Sequence, residues 1–149
     1  MGGAGPYWSM ISTELARALA AAGLPWHPSA GDRFRIVSAP DLEDDVFTLS
    51  EMTIEARHYP TGTILGFNGT TEWALDSVAI EDALWMPRED QLRELLGATF
   101  RSLTRDDDGF HVTAVHPLRD ESQTFSAPGA ADAYAQAVLA LVELAEVRT

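Results

Sequence analysis

Carboxylates and imidazoles are the side chains here whose number and spacing invite a chemical reading. Two acidic runs stand out, Asp41-Leu42-Glu43-Asp44-Asp45 just past a proline and Asp106-Asp107-Asp108-Gly109. Oxygen-rich clusters suit hard cations such as Ca²⁺ or Mg²⁺, which makes Asp44 and Asp45 candidate cation-binding residues. Neither run has the spaced ligands and distant bidentate Glu of an EF-hand loop, and Asp-Gly is by itself a sufficient turn signal. Solvated loop acids are the favoured reading of both. The histidines are His27, His58, His111 and His116. With 111–116 in one strand, His111 and His116 point to opposite faces and cannot share a metal, so no metal site is expected. His58 shares an apolar face with Ile54 and Ala56 and reads as a satisfied, partly buried histidine.

Missing residue types exclude more chemistry than the present ones suggest. All ten basic residues are Arg, and neither Lys nor Cys occurs. Schiff-base and P-loop lysines, cysteine nucleophiles, disulfides and cysteine metal sites are thereby removed. No G-x-S-x-G, no H-E-x-x-H and no G-x-G-x-x-G after a strand is present;. A serine nucleophile would need a Ser, a His and an Asp that only the fold can bring together. No catalytic residue and no cofactor therefore follow from the sequence. A small hydrolase or metal-dependent enzyme using Asp44, Asp45 or His58 stands as an alternative.

The 149 residues carry 23 acids and a formal net charge of -13. Residues 32–87 hold 11 acids against three Arg, whereas residues 1–31 are neutral overall. A surface of this sign repels nucleic-acid phosphates and anionic lipids, so neither nucleic acid nor membrane is expected as a direct partner. A protein partner or a homodimer is. Trp73, flanked by Glu72 and Asp76, and Trp26 are the candidate interaction residues, because an indole anchors while rim charges select. Trp85, directly before Pro87, reads instead as a staple or core residue. The charge also admits a second alternative, a phage or mobile-element inhibitor that imitates DNA.

These side chains need elements to position them. Residues 1–9, with three Gly and a Pro, read as a flexible extension, and 10–149 as one domain;. Ile11, Leu15, Leu19 and Ala22 recur at helical spacing, with Ser12 as cap and Gly23 as stop, giving a helix over about 11–22. Period-two alternation marks strands at Phe34/Ile36, Phe47/Leu49 and Ile54–His58, and Tyr59-Pro60-Thr61-Gly62 turns the last of these back into Thr63–Phe67. Further strands are expected at Glu72–Leu75 and in "ALWMP" (83–87). Pro87, Glu89, Asp90, the Leu92/Leu95/Leu96 face and Gly97 agree on a short helix. Then "TFRSLTR", "FHVTAVH" and "SQTFSA" form a three-stranded meander. A last helix, about 131–146, places Tyr134, Val138, Leu141 and Ala145 on one face. The order predicts an α+β fold: an antiparallel sheet of about six to eight strands with three helices, mainly on one face.

The segments "GFNGTTEWALD" (66–76), "WMPREDQLRELLGATFRSL" (85–103) and "ADAYAQAVLALV" (131–142) resemble a group of small proteins from high-GC, actinobacterial genomes with phage-encoded relatives. Some of that group carry a pilus-assembly label, but the ATPase of such machinery requires a glycine loop with Lys. The resemblance implies a compact domain over about 10–142 and no activity or site residues. The expected function is a non-catalytic, acidic, protein-binding or self-associating module. No basic n-region, apolar leader or membrane-length apolar run is present, so a cytoplasmic location is expected.

Overall fold

The computed structural model describes residues 10–37, 45–49, 54–59, 62–67 and 77–147. They are α+β, with three helices and only antiparallel pairings among nine strands. The elements are α1 (Thr13–Ala21), β1 (Arg33–Ile36), β2 (Phe47–Thr48), β3 (Ile54–Tyr59), β4 (Gly62–Phe67), β5 (Ser77–Ala79), β6 (Ala83–Trp85), α2 (Glu89–Leu96), β7 (Phe100–Asp106), β8 (Gly109–Val115), β9 (Ser122–Ala127) and α3 (Ala130–Val147). The strands divide into three sheets of three, in the orders β2-β1-β6, β3-β4-β5 and β7-β8-β9, rather than joining one larger sheet. The described residues also gather into two compact units: those up to Leu24 together with those from Pro87 onward, and those from Pro25 to Met86. Period and turn residues locate strands. Turn residues also announce the consecutive pairings β3–β4 and β7–β8, whereas the pairing of β1 with β6 joins segments far apart in sequence and carries no local signal;.

In the unit formed by both ends of the chain, α1 is closed by its own sequence. The Ser12 hydroxyl accepts from Leu15 N–H at 3.2 Å, and the Ser12 N–H donates to Asp132 Oδ1 of α3 at 2.7 Å. At the other end Leu24 N–H donates to Leu19 O and Gly23 N–H to Ala20 O, with Gly23 at φ +99°, a complete Schellman stop;. In α2, Arg88 N–H donates to Gln91 Oε1 at 2.9 Å; an arginine side chain has no acceptor with which to return the bond;. Leu92 and Leu96 are buried, while Leu95 is 39% exposed. The pair at i and i+4 faces inward, and Leu95 falls on the flank.

Helix α3 packs on β8 and β9 and against α1 and α2. Its first half supplies the core, with Ala131, Ala133, Tyr134, Ala135, Ala137 and Val138 buried. Small side chains there let the neighbouring elements approach closely. Farther along the covering thins: Leu141 is half-buried and Ala145 exposed, although both share the helical period of Val138. Leu19, Leu92, Val112 and Val138 are almost completely buried, each worth about 1.5–3 kcal/mol relative to exposure;.

The second unit contains the sheet β2-β1-β6 and the sheet β3-β4-β5. Phe34 and Ile36 are fully buried, and Phe34 pairs with Phe47 on one side and Trp85 on the other. The β3–β4 register runs from Ile54↔Phe67 to Tyr59↔Gly62, the hairpin read from Pro60 and Gly62. Strand β5 pairs with β4 at Ser77–Ala79. The strand expected at Glu72–Leu75 and the flexible extension expected at residues 1–9 lie outside the described residues.

Candidate functional site

The hairpin β7–β8 turns at Asp107-Asp108. Both have negative φ, and the left-handed conformation falls on Gly109 at φ +124°. Asp106 Oδ1 accepts from Asp108 N–H at 2.8 Å, which holds the turn;. Even-numbered residues of β8 face the helices, so Val112 and Ala114 are buried. His111 and Thr113 lie on the opposite, open face. Across the strands the register makes two transverse rows on that face, Thr104–His111–Ser126 and Ser102–Thr113–Thr124.

Within the first row the fold assembles the combination that sequence alone could not. His111 Nε2 lies 2.9 Å from Asp106 Oδ1, and His111 Nδ1 lies 2.7 Å from Ser126 Oγ. An ionised carboxylate only accepts, so in neutral His111 the proton sits on Nε2 and the Ser126 hydroxyl donates to Nδ1, a tautomer assigned from the partners. The Asp106 carboxyl is held below its ordinary range, first by the hydrogen bond from His111 and then by the Asp108 N–H. In the second row Thr113 Oγ1 and Thr124 Oγ1 are 3.0 Å apart.

A chain hydroxyl–imidazole–carboxylate has the polarity that activates a serine nucleophile. Here it lies on an open sheet face: the Asp106 side chain is 58% exposed and Ser126 is exposed. Such electrostatics need a water-excluded site with donors aimed at a developing oxyanion. As placed, the three side chains tie β7, β8 and β9 together.

The two outer strands of this sheet differ. Strand β7 carries Arg101, Arg105 and Asp106 and a register shift between Phe100 and Ser102. Charges and bulges of that kind guard a sheet edge against pairing. Strand β9, Ser-Gln-Thr-Phe-Ser-Ala, has no charge, no proline and no register shift, and Ser122, Gln123, Thr124 and Ser126 are exposed. The Gln136 amide of α3 donates to Ser126 O on this strand at 3.0 Å.

The residues singled out from the sequence are placed elsewhere. Trp26 belongs to the second unit, where its ring stacks on Trp85 at 6.3 Å and lies 5.7 Å from Phe34. Its indole N–H donates to the buried Asp32 Oδ2 at 2.9 Å, and Ser29 N–H donates to the same oxygen at 3.0 Å. Trp85, half-buried in that stack, keeps its indole nitrogen out of solvent without a hydrogen bond to any described residue. Trp73, Glu72, Asp76 and Asp44 lie outside the described residues. Asp45 is exposed. His58 pairs with Thr63 in β3–β4. Among the described residues no three His, Asp or Glu side chains gather closely enough to hold a metal ion. The acids of the first unit are dispersed over α1, α2, the β7–β8 turn, residues 120–121 and α3. No helix among the described residues is long and apolar enough to cross a membrane.

Half of the Asp106–His111 contact was legible, since Asp106-Gly109 fixes the hairpin and so puts His111 diagonally across from Asp106 on one face. Ser126 was not, because the β8–β9 register depends on the course of residues 116–121. Comparison with protein-family models, with curated proteins and with solved structures produced no match.

Proposed function

We propose that this chain is a non-catalytic, acidic self-associating module that pairs with a second copy of itself through strand β9. The single observation that carries the proposal is the contrast between the guarded β7 edge and the uncharged, exposed β9 edge;. Antiparallel pairing of β9 with its copy about a two-fold axis joins two three-stranded sheets into six strands and extends the hydroxyl rows of the open face. It also places no like charges opposite one another, which matters for a protomer of net charge -13;. The module works in the cytoplasm, as its residue usage suggests.

Light scattering coupled to size-exclusion chromatography tests this. The wild-type chain elutes as a dimer at micromolar concentration, and Thr124→Lys, which sets two ammonium groups across the symmetric pairing, elutes as a folded monomer. A monomeric wild type overturns the proposal.

The Asp106–His111–Ser126 chain favours one second reading, a small hydrolase acting through Ser126. Turnover of an activated ester measures it, and equal rates for wild type and Ser126→Ala remove it.

A further inference from the structure

The thinning cover of α3 leaves a cavity of about 140 Å³ inside the first unit. Ala137, Ala140, Leu141 and Leu144, at helical positions i, i+3, i+4 and i+7, form one wall, and Leu96 and Phe125 contribute to others. The two alanines make the hollow: larger side chains at those positions would fill it. The hollow is open to solvent on one side, where exposed Pro117 and Gln123 stand at its rim, and its volume suits a ligand of about the size of a single ring.

Three polar side chains stand at the lining, and since the Thr99 hydroxyl already donates to Leu96 O at 2.7 Å, the free donors come from the other two. His116 follows β8, and its Nδ1 accepts from Leu118 N–H at 3.0 Å and from Arg119 N–H at 3.2 Å. Two donors on Nδ1 leave the proton on Nε2, which makes no hydrogen bond to a described residue;. The Gln123 amide, on β9, is likewise unengaged by described residues and offers two further N–H donors;. An imidazole tied down by two backbone bonds is a pre-oriented donor, so little side-chain entropy is lost when a ligand meets it. The apolar walls disfavour a cation, and the net charge of -13 disfavours an anion;.

We infer that this cavity is a binding site for a small neutral molecule, an aromatic ring or short branched chain bearing a carbonyl-type hydrogen-bond acceptor. The ring occupies the space beside Ala137 and Ala140, and the acceptor takes the donors of His116 and Gln123. Thr124 lies on the opposite face of β9 from Gln123 and Phe125, so a substitution at Thr124 does not enter the cavity.

The test is titration of the full-length chain with acetophenone and with ethylbenzene, which has the same ring without the acceptor, followed by amide chemical shifts and calorimetry. Both are expected to bind saturably with shifts centred on α3, acetophenone the more tightly. Ala140→Leu, which fills the hollow, abolishes binding of both while retaining or raising the melting temperature. His116→Asn keeps a side-chain oxygen for the Leu118 N–H but loses the Nε2 donor. It weakens acetophenone about tenfold, as loss of one hydrogen bond of about 1–1.5 kcal/mol does, and leaves ethylbenzene unchanged. Absence of saturable binding, or unaltered binding by a folded Ala140→Leu variant, overturns the site. Equal acetophenone affinity in wild type and His116→Asn overturns the assigned ligand class. The monomeric Thr124→Lys chain binds acetophenone like wild type, which separates failure of this site from failure of the dimer.

Discussion

Gly109 and Gly23 both hold left-handed backbone, at φ +124° and +99°, but for different reasons. A Cβ on Gly109 would lie 2.6 Å from Ala127 O, an unyielding backbone atom, whereas a Cβ on Gly23 meets nothing within 4 Å. Gly23→Ala therefore carries backbone strain alone, about 1–2 kcal/mol. Gly109→Ala adds a clash that separates β8 from β9, and its cost exceeds that of Gly23→Ala. Denaturant midpoints of the two variants measure the ranking. A pH effect belongs to the same scale. The Asp106 carboxyl is lowered in the folded state, chiefly by His111, so its contribution to stability is present above the ordinary Asp range near about 3.9 and is lost as pH falls through the lowered value;. Asp106→Asn keeps an acceptor for the turn but cannot titrate. Its stability is expected to fall less steeply than that of wild type on acidification below about pH 4, as read from thermal melts across that range.

At the scale of the element, α2 shows how a short amphipathic helix is phased by two residues. Leu92 has no exposed surface and Leu96 is 3% exposed, but Leu95 is 39% exposed. Leu92→Ala is expected to cost about 2–5 kcal/mol through lost burial and a residual cavity. Leu95→Ala is expected to stay within about 0.5 kcal/mol, the usual range for a surface change. Equal costs would contradict the phase. The neighbouring Arg93 guanidinium stands 4.3 Å over the Phe100 ring, and Phe100 in turn lies 5.9 Å from the Tyr134 ring. Burial raises the Tyr134 phenol above its ordinary value, and Arg93 works against that rise. A raised phenol destabilises the fold only in alkali, as pH rises past the ordinary tyrosine value near about 10. Tyr134→Phe removes that alkaline loss, which melting temperatures at rising pH will register.

For the whole molecule, charge and edge pairing oppose each other. Two protomers of net charge -13 repel, so added salt screens the repulsion and strengthens a β9-mediated dimer;. Association with a basic partner would respond in the opposite direction. The dimer fraction measured by light scattering at low and at high ionic strength is therefore expected to rise with salt, and a fall would show that charge attraction drives association. Ser12 and Asp132 add a second molecular-scale feature, since one hydrogen bond between residues 120 apart in sequence joins the start of α1 to the first turn of α3.

Local chemistry was enough for the features that a few neighbouring residues decide. Ser12, Gly23, Pro87 with Glu89 and Asp90, and Asp106-Gly109 each satisfy or break backbone hydrogen bonds within one turn, and helix limits and hairpin followed from them. Absence of Lys and Cys was equally decisive, because a missing functional group excludes its chemistry in any fold. Tertiary structure alone decided that the strands separate into three sheets, that Ser126 meets His111, that Trp26 gives its indole N–H to Asp32, and that Ala137 and Ala140 border a cavity instead of a filled core. Except for Trp26 and Asp32, six residues apart in one loop, these are contacts between segments set by strand register and by the packing of one element on another, and periodicity within a segment holds no information about either;.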